Sequence, residues 1–214
     1  FGIPINLNIS FLIFLPALAW IIGSQIDYYV ELLNLDIDTA AITQGGNAFW
    51  IGLFAALGLF VGVTLHELGH SYFARRYGVN IKSITLHVLG GVAQLDEIPA
   101  RPGEEAKMAV AGPITSFILG GIAWAFLMIF NPARPVPRFM LGYLFYINIA
   151  VGIFNLIPAL PLDGGRILRS LISLRKSRFQ ATKIATSISK FFAAAMGIYG
   201  LLNLNIFLLI IAFY

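Results

Sequence analysis

Charge and cysteine are both scarce in this sequence. The chain of 214 residues contains no cysteine, and 11% of its residues are charged whereas 58% are hydrophobic. A soluble domain has about 25% charged and roughly 45–50% apolar residues. The missing cysteines exclude a disulfide-stabilised scaffold, and the apolar excess excludes a disordered tail and a soluble enzyme. Because lipid must cover so large an excess, the composition predicts a polytopic membrane protein.

Long apolar runs predict about six membrane spans. A spanning helix needs about 20 mostly apolar residues, and five runs of this sequence have about that length. A run at the C-terminus has about half that length, and we expect it to be a sixth span cut short by the chain end. The predicted spans cover residues 3–22, 49–74, 108–130, 139–157, 183–202 and 205–214. The expected architecture is therefore all-α, with residues 1–214 forming a single transmembrane domain.

A short β insertion is expected after the second span. Residues 84–88 alternate between apolar and polar side chains, which is typical of a strand. Gly90-Gly91 resembles a turn, and residues 92–95 would form the returning strand. An edge strand here could pair with an extended substrate, or the hairpin could simply plug the cytoplasmic side; both alternatives stay open. His87 is expected to be an ordinary strand residue.

The basic residues predict how the chain is oriented in the membrane. All 14 lysines and arginines except Arg134 and Arg138 lie on the side where spans two and four end. Lysine and arginine accumulate in cytoplasmic loops, so we expect both basic clusters, the N-terminus and the completed C-terminus in the cytoplasm. This multi-pass arrangement in the cell membrane accounts for the net charge of +4 without a nucleic-acid partner.

One acidic residue, Glu67, interrupts a predicted span, and histidines flank it. Ionisable groups at membrane depth are costly and point to function. The segment HELGH at residues 66–70 has the HExxH pattern, in which positions i and i+4 of a helix share one face. Two imidazoles can then bind one Zn²⁺ while the glutamate reaches the metal-bound water. His66 precedes Arg75, the predicted cytoplasmic boundary, by nine residues, or about 13 Å of helix.

The third ligand of such a site is expected to be Asp163. A catalytic zinc usually has three protein ligands and one open position. Residues 158–178 look irregular and then basic, and two prolines end span four, so Asp163 would arrive at the depth and side of His70. Irregular backbone at that depth is tolerated where it lines a cavity. The alternative is that Asp163 is the N-cap of a helix beginning near Gly165.

Together these motifs resemble the site-2 protease family of intramembrane zinc metalloproteases, in its compact archaeal and bacterial form. The matching segments are HELGH at 66–70, GGVA at 90–93, AGP at 111–113 and NLIPALPLDGGR at 155–166. The resemblance implies one Zn²⁺ per chain held by His66, His70 and Asp163. It also implies Glu67 as the catalytic acid–base, and transmembrane proteins as substrates that are cleaved in or near their spans. Asn155 would lie near the substrate or the oxyanion, with a helix–helix hydrogen bond as the alternative.

Two domains found in some relatives are not expected here. Some members of this family carry a PDZ domain between the second and third spans, but residues 77–105 are too few for one. Others carry nucleotide-binding CBS domains after the sixth span, and we expect this regulatory domain to be absent from the chain or lost from its C-terminus. Rival functions are an ion or proton transporter and an inactive relative that binds membrane partners. A transporter would be favoured by inverted repeats, and none is visible in the sequence. An inactive relative would lack one of the predicted site residues, and all of them are present.

Overall fold

The computed structural model describes residues 2–87, 90–95, 101–204 and 209, most of which are helical. The helices are α1 (Ile9–Ser24), α2 (Ile26–Leu32), α3 (Thr39–Thr43), α4 (Asn47–Arg76), α5 (Pro102–Phe130), α6 (Pro135–Asn155), α7 (Asp163–Ser173) and α8 (Arg178–Leu202). The strands are β1 (Ile5–Leu7), β2 (Ile81–His87) and β3 (Gly90–Leu95), and they form one sheet in that order. The predicted helical fold with a small β insertion is confirmed.

Several helices are long and apolar enough to cross a membrane. Among the described residues these are Thr39–Arg76, Gly103–Phe130, Pro135–Asn155 and Arg178–Leu202. Helix α1 together with α2 is a fifth candidate, bent by 55°. Large apolar side chains on these helices are exposed, such as Ile13 at 73% and Ile129 at 75%. Because such a surface needs lipid around it, the chain is an integral membrane protein. The predicted span 205–214 lies outside the described residues except for Leu209.

The chain divides into two compact units. Unit one contains residues 1–97 and 111–152, and unit two contains residues 98–110 and 153–214. The core of unit one joins side chains from α1, α2, α4, α5 and α6, and its largest fully buried members are Ile26, Phe139 and Tyr143. The expectation of a single domain over residues 1–214 stays a prediction.

Helices α1 and α4 of unit one pack with their backbones in close contact. A Cβ atom on Gly52 of α4 would collide with the carbonyl oxygen of Ala19 in α1. A Cβ atom on Gly23 of α1 would likewise collide with the carbonyl oxygen of Ala48 in α4. Small residues permit this close approach between spanning helices. The contact supports the first half of α4, and the second half of that helix carries the HELGH segment.

The N-terminal segment differs from the prediction. The sequence predicts a span from residue 3, but Ile5–Leu7 forms β1, which pairs in parallel with residues 84–86 of β2. Helix α1 begins only at Ile9, because the side chain of Asn8 accepts a hydrogen bond from the Ser10 N–H at 2.9 Å and caps the helix. A short apolar strand and the start of an apolar helix have similar compositions, so hydropathy cannot distinguish the strand at residues 5–7 from the first turn of a spanning helix.

The β insertion is a hairpin, but its two glycines do not form the turn. Strands β2 and β3 are antiparallel, with His87 opposite Gly90 and Leu86 opposite Gly91. The predicted turn at Gly90-Gly91 is therefore wrong, and residues 88–89, which connect the strands, lie outside the described residues. Glycine inside a strand marks a place where another group comes close to the backbone. For Gly91 that group is a side chain of the candidate site.

Unit two contains a helix that starts within the stretch predicted to be irregular. Helix α7 begins at Asp163, and an ion pair connects it to the start of α5. The carboxylate of Glu105 in α5 is only 3% exposed and pairs with the guanidinium of Arg169 in α7. Arg178 of α8 lies 4.0 Å from the second oxygen of the same carboxylate. These contacts fix α7, and with it the residue at its N-terminus.

Candidate metal centre and active site

The two histidines of the HELGH segment lie side by side on α4. Their four-residue spacing brings both side chains to one face of the helix. The ring centroids of His66 and His70 are 4.8 Å apart, and the ring planes are inclined by 81°. Both residues are buried, with 3% and 5% of their surface exposed. Two imidazoles so placed can serve as ligands of one metal ion.

A serine on α5 holds one of these rings. The Nδ1 atom of His66 and the hydroxyl oxygen of Ser116 are 2.9 Å apart, and both groups are buried. When the Nδ1–H donates to Ser116, the neutral ring keeps its lone pair on Nε2, which is then the atom available to a metal. Hydrogen bonds of this kind fix the tautomer and the orientation of histidine ligands.

Helix α5 also brings a glycine against the other edge of both rings. A Cβ atom built on Gly112 would lie closer than 3.0 Å to Nε2 of His66 and to Nε2 and Cε1 of His70. The two Nε2 atoms therefore face the same short stretch of bare backbone. An alanine methyl would fill this space, so the residues present leave room at the two nitrogen atoms that a metal would bind.

Glu67 projects from the same turn of α4 and lies against β3. It is half-buried. A Cβ atom on Gly91 would lie 2.7 Å from Cγ of Glu67, so the strand approaches the glutamate at a position where only glycine fits without displacement. This close approach accounts for a glycine inside the strand.

Asp163 is the first residue of α7 and is 6% exposed. The N-cap of this helix is Leu162, so the interpretation of Asp163 as an N-cap is wrong. Arg166, one turn later, places Nη1 at 3.5 Å from the Asp163 carboxylate. A Cβ atom on Gly164 would collide with the carbonyl oxygens of residues 156 and 157. The glycine after Asp163 thus lets the helix begin directly against the irregular segment that follows α6.

The expected ligands are divided between the two units. His66 and His70 lie side by side in unit one, and Asp163 is the first residue of α7 in unit two. All three residues are buried. Two imidazole nitrogens and one carboxylate oxygen are a donor set that suits a catalytic zinc.

Two further residues singled out in the sequence lie at the ends of elements. Asn155 is the last residue of α6 and is half-buried. His87 is the last residue of β2 and faces Gly90 across the hairpin. The role of Asn155 near a substrate stays a prediction.

Comparison with known proteins decides the family. The sequence model of peptidase family M50 matches residues 54–136 and 131–198, which include the HELGH segment and Asp163. The chain belongs to peptidase family M50. This membership confirms the resemblance to the site-2 proteases.

Individual relatives of this M50 chain agree with the family match. A zinc metalloprotease of Methanocaldococcus jannaschii is 40% identical over 214 residues, which are 100% of this chain and 56% of that protein. A putative zinc metalloprotease of Synechocystis is 35% identical over 95% of this chain and 52% of its own length. The M50 chain thus spans about half the length of these relatives. The solved structure of a site-2 protease from M. jannaschii matches with a TM-score of 0.64 and 36% identity, covering 99% of this chain and 87% of that one.

Sequence reasoning about this M50 member missed the contribution of α5. Ser116 is 50 residues away from His66, and a lone serine in an apolar span has no signature of its own. Their spacing was the one signal that could have grouped these residues of α5, because Gly112 and Ser116 are four residues apart and so share one face of the helix. Gly112 is also the middle residue of the AGP segment at 111–113, for which the sequence predicted no role in the site.

Proposed function

We propose that this chain is an intramembrane zinc metalloprotease that hydrolyses peptide bonds within or near transmembrane segments of other membrane proteins. The observation that carries the proposal is the pair of buried imidazoles of His66 and His70, which lie side by side on α4 with their ring centroids 4.8 Å apart. Membership of peptidase family M50 supports hydrolysis. The apolar surface of the long helices supports a site reached from the bilayer.

In this proposal His66, His70 and Asp163 hold a single Zn²⁺ per chain. The bond between His66 and Ser116 supports Nε2 as the ligand atom of that ring. Zinc supplies Lewis acidity toward the scissile carbonyl and lowers the pKa of water in such a site. Arg166, with Nη1 3.5 Å from the Asp163 carboxylate, forms an ion pair with it at the start of α7.

Glu67 is the proposed catalytic acid–base. Its carboxylate takes a proton from the water that attacks the scissile carbonyl, and it then delivers that proton to the leaving amine nitrogen. Both transfers require a side chain that is held in place and still reachable by water. The half-buried position of Glu67 and its contact with the backbone at Gly91 support this role.

Strand β3 is the proposed docking edge for the substrate. It is the outer strand of the sheet, next to β2 alone among the described strands. A substrate in helical form has its peptide groups paired internally, so it must become extended before hydrolysis. An extended peptide can pair with such an edge through main-chain hydrogen bonds. Asn155 would then donate its side-chain amide to the substrate backbone or to the developing oxyanion.

We further propose that the site opens toward the cytoplasm. The basic residues that follow spans two and four support this orientation, because lysine and arginine accumulate on the cytoplasmic side. Water would then reach the buried ligands from that side. The N-terminus would be cytoplasmic as well.

One experiment tests the proposed activity. Wild-type chain and the variants Glu67→Gln and Glu31→Gln are purified in detergent, the zinc content is measured, and each protein is incubated with a single-span substrate. We expect about one zinc in all three proteins, and cleavage by wild type and Glu31→Gln alone. Glu31 is the matched control because it is an exposed glutamate of α2. Cleavage by Glu67→Gln would refute the role of Glu67. A wild-type protein that is found to contain no zinc would refute the metal site.

A further inference from the structure

The glycine at position 112 lowers the stability of the helix that contains it. In the interior of a helix it costs roughly 0.5–1 kcal/mol relative to alanine. Gly112 lies inside α5, a helix of 29 residues, and its neighbours Ala111 and Pro113 carry side chains and are buried. A glycine in such a place needs a reason in packing or in function.

The groups that face Gly112 supply this reason. The three heavy atoms nearest to a Cβ atom built there are Nε2 and Cε1 of His70 and Nε2 of His66. Gly121, in the same helix, provides the contrast, because a Cβ atom there would meet nothing within 4 Å. The two glycines thus differ in what a methyl group would touch, although both lie in the same α-helix.

We propose that Gly112 is a positioning residue that keeps the metal-binding edges of both imidazoles clear. This inference rests on the proposed function, in which these rings bind zinc. A methyl closer than 3.0 Å to a ring atom forces something to move. The ring of His66 is held at its other edge by Ser116, and α5 is enclosed on both sides of Gly112. The rings must therefore turn away, and two displaced Nε2 atoms no longer meet one ion at the 2.0–2.1 Å that zinc requires.

The first test measures zinc binding and does not depend on activity. Wild type, Gly112→Ala and the control Gly121→Ala are freed of metal and titrated with Zn²⁺ against a competing chelator. We expect Gly112→Ala to bind zinc at least about 10-fold more weakly, as for other residues that support metal ligands, and Gly121→Ala to match wild type. Equal affinity in all three proteins would overturn the role of Gly112 and leave the protease proposal intact. Absence of binding by wild type would instead refute the metal site itself.

A second test covers the case in which Gly112→Ala folds poorly. The melting temperatures of the metal-free proteins are compared for Gly112→Ala, the double variant His66→Ala/His70→Ala and the triple variant. Because the methyl would meet both imidazoles, removal of the two rings makes space for it, and the losses are less than additive. A triple variant that melts at the additive value, or that is as unfolded as Gly112→Ala, would overturn the proposal.

Discussion

Replacing Ser116 with alanine removes the hydroxyl that holds the Nδ1 edge of His66. In the native structure the two atoms are 2.9 Å apart in a buried environment, where His66 is 3% exposed and Ser116 is fully enclosed. The variant removes this hydrogen-bond partner of the Nδ1 atom. The ring then loses the contact that sets its orientation and its tautomer, and a proton on Nε2 would oppose metal binding.

The size of the effect follows from this burial. An unsatisfied buried hydrogen-bonding group costs about 1–3 kcal/mol. Loss of a group that orients a metal ligand typically weakens metal affinity about 10- to 100-fold, and tenfold corresponds to about 1.4 kcal/mol. The two ranges agree. We therefore expect Ser116→Ala to bind Zn²⁺ about 10- to 100-fold more weakly than wild type while keeping its helical content.

The assay is a titration of metal-free protein with Zn²⁺ against a chelator of known affinity, with circular dichroism to follow the helices. Ser187→Ala is the matched control, because the Ser187 hydroxyl donates to the Lys183 carbonyl on an exposed face of α8. This control should bind zinc like wild type. An affinity of Ser116→Ala within about twofold of wild type would refute the argument that the serine orients the ligand.

Three other changes test separate parts of the structure. Asp163→Ala removes a proposed ligand, so zinc content should fall from about one per chain toward zero; a variant that keeps tight zinc binding would refute this assignment. Gly91→Ala should lower the rate of substrate cleavage with zinc content unchanged, because the methyl displaces Glu67 and not the histidines; equal rates would show that this contact is unimportant. Glu105→Ala breaks a buried ion pair and should lower the free energy of unfolding by roughly 3 kcal/mol in a denaturant titration, whereas Glu104→Ala, whose partner Arg101 is exposed, should lower it by less than about 1 kcal/mol.

The spans and the central part of the site were predictable because their signals are local. Apolar runs of the right length report spanning helices directly. His66 and His70 share a face because both lie on one helix four residues apart, and this needs no tertiary information. Asp163 could be proposed as a third ligand because two prolines set the end of the preceding span, and this assignment stays a prediction.

The sheet and the supporting residues were not predictable because they depend on contacts between distant segments. Strand β1 forms only because β2, more than 70 residues later, offers it an edge. Gly91 looks like a turn residue until the side chain of Glu67 is seen against it. Ser116 has meaning only through a ring on another helix. In each case the local sequence fits two structures, and tertiary packing selects between them.

The backbone contact between α1 and α4 has a consequence for work with the purified protein. Gly23 and Gly52 bring the two helices together through main-chain atoms, and no lipid takes part in that contact. Extraction of the protein by detergent therefore removes none of the atoms that form it. We expect the helix that carries the HELGH segment to keep this support in micelles, so zinc titrations in detergent report on the same α4 that exists in the bilayer.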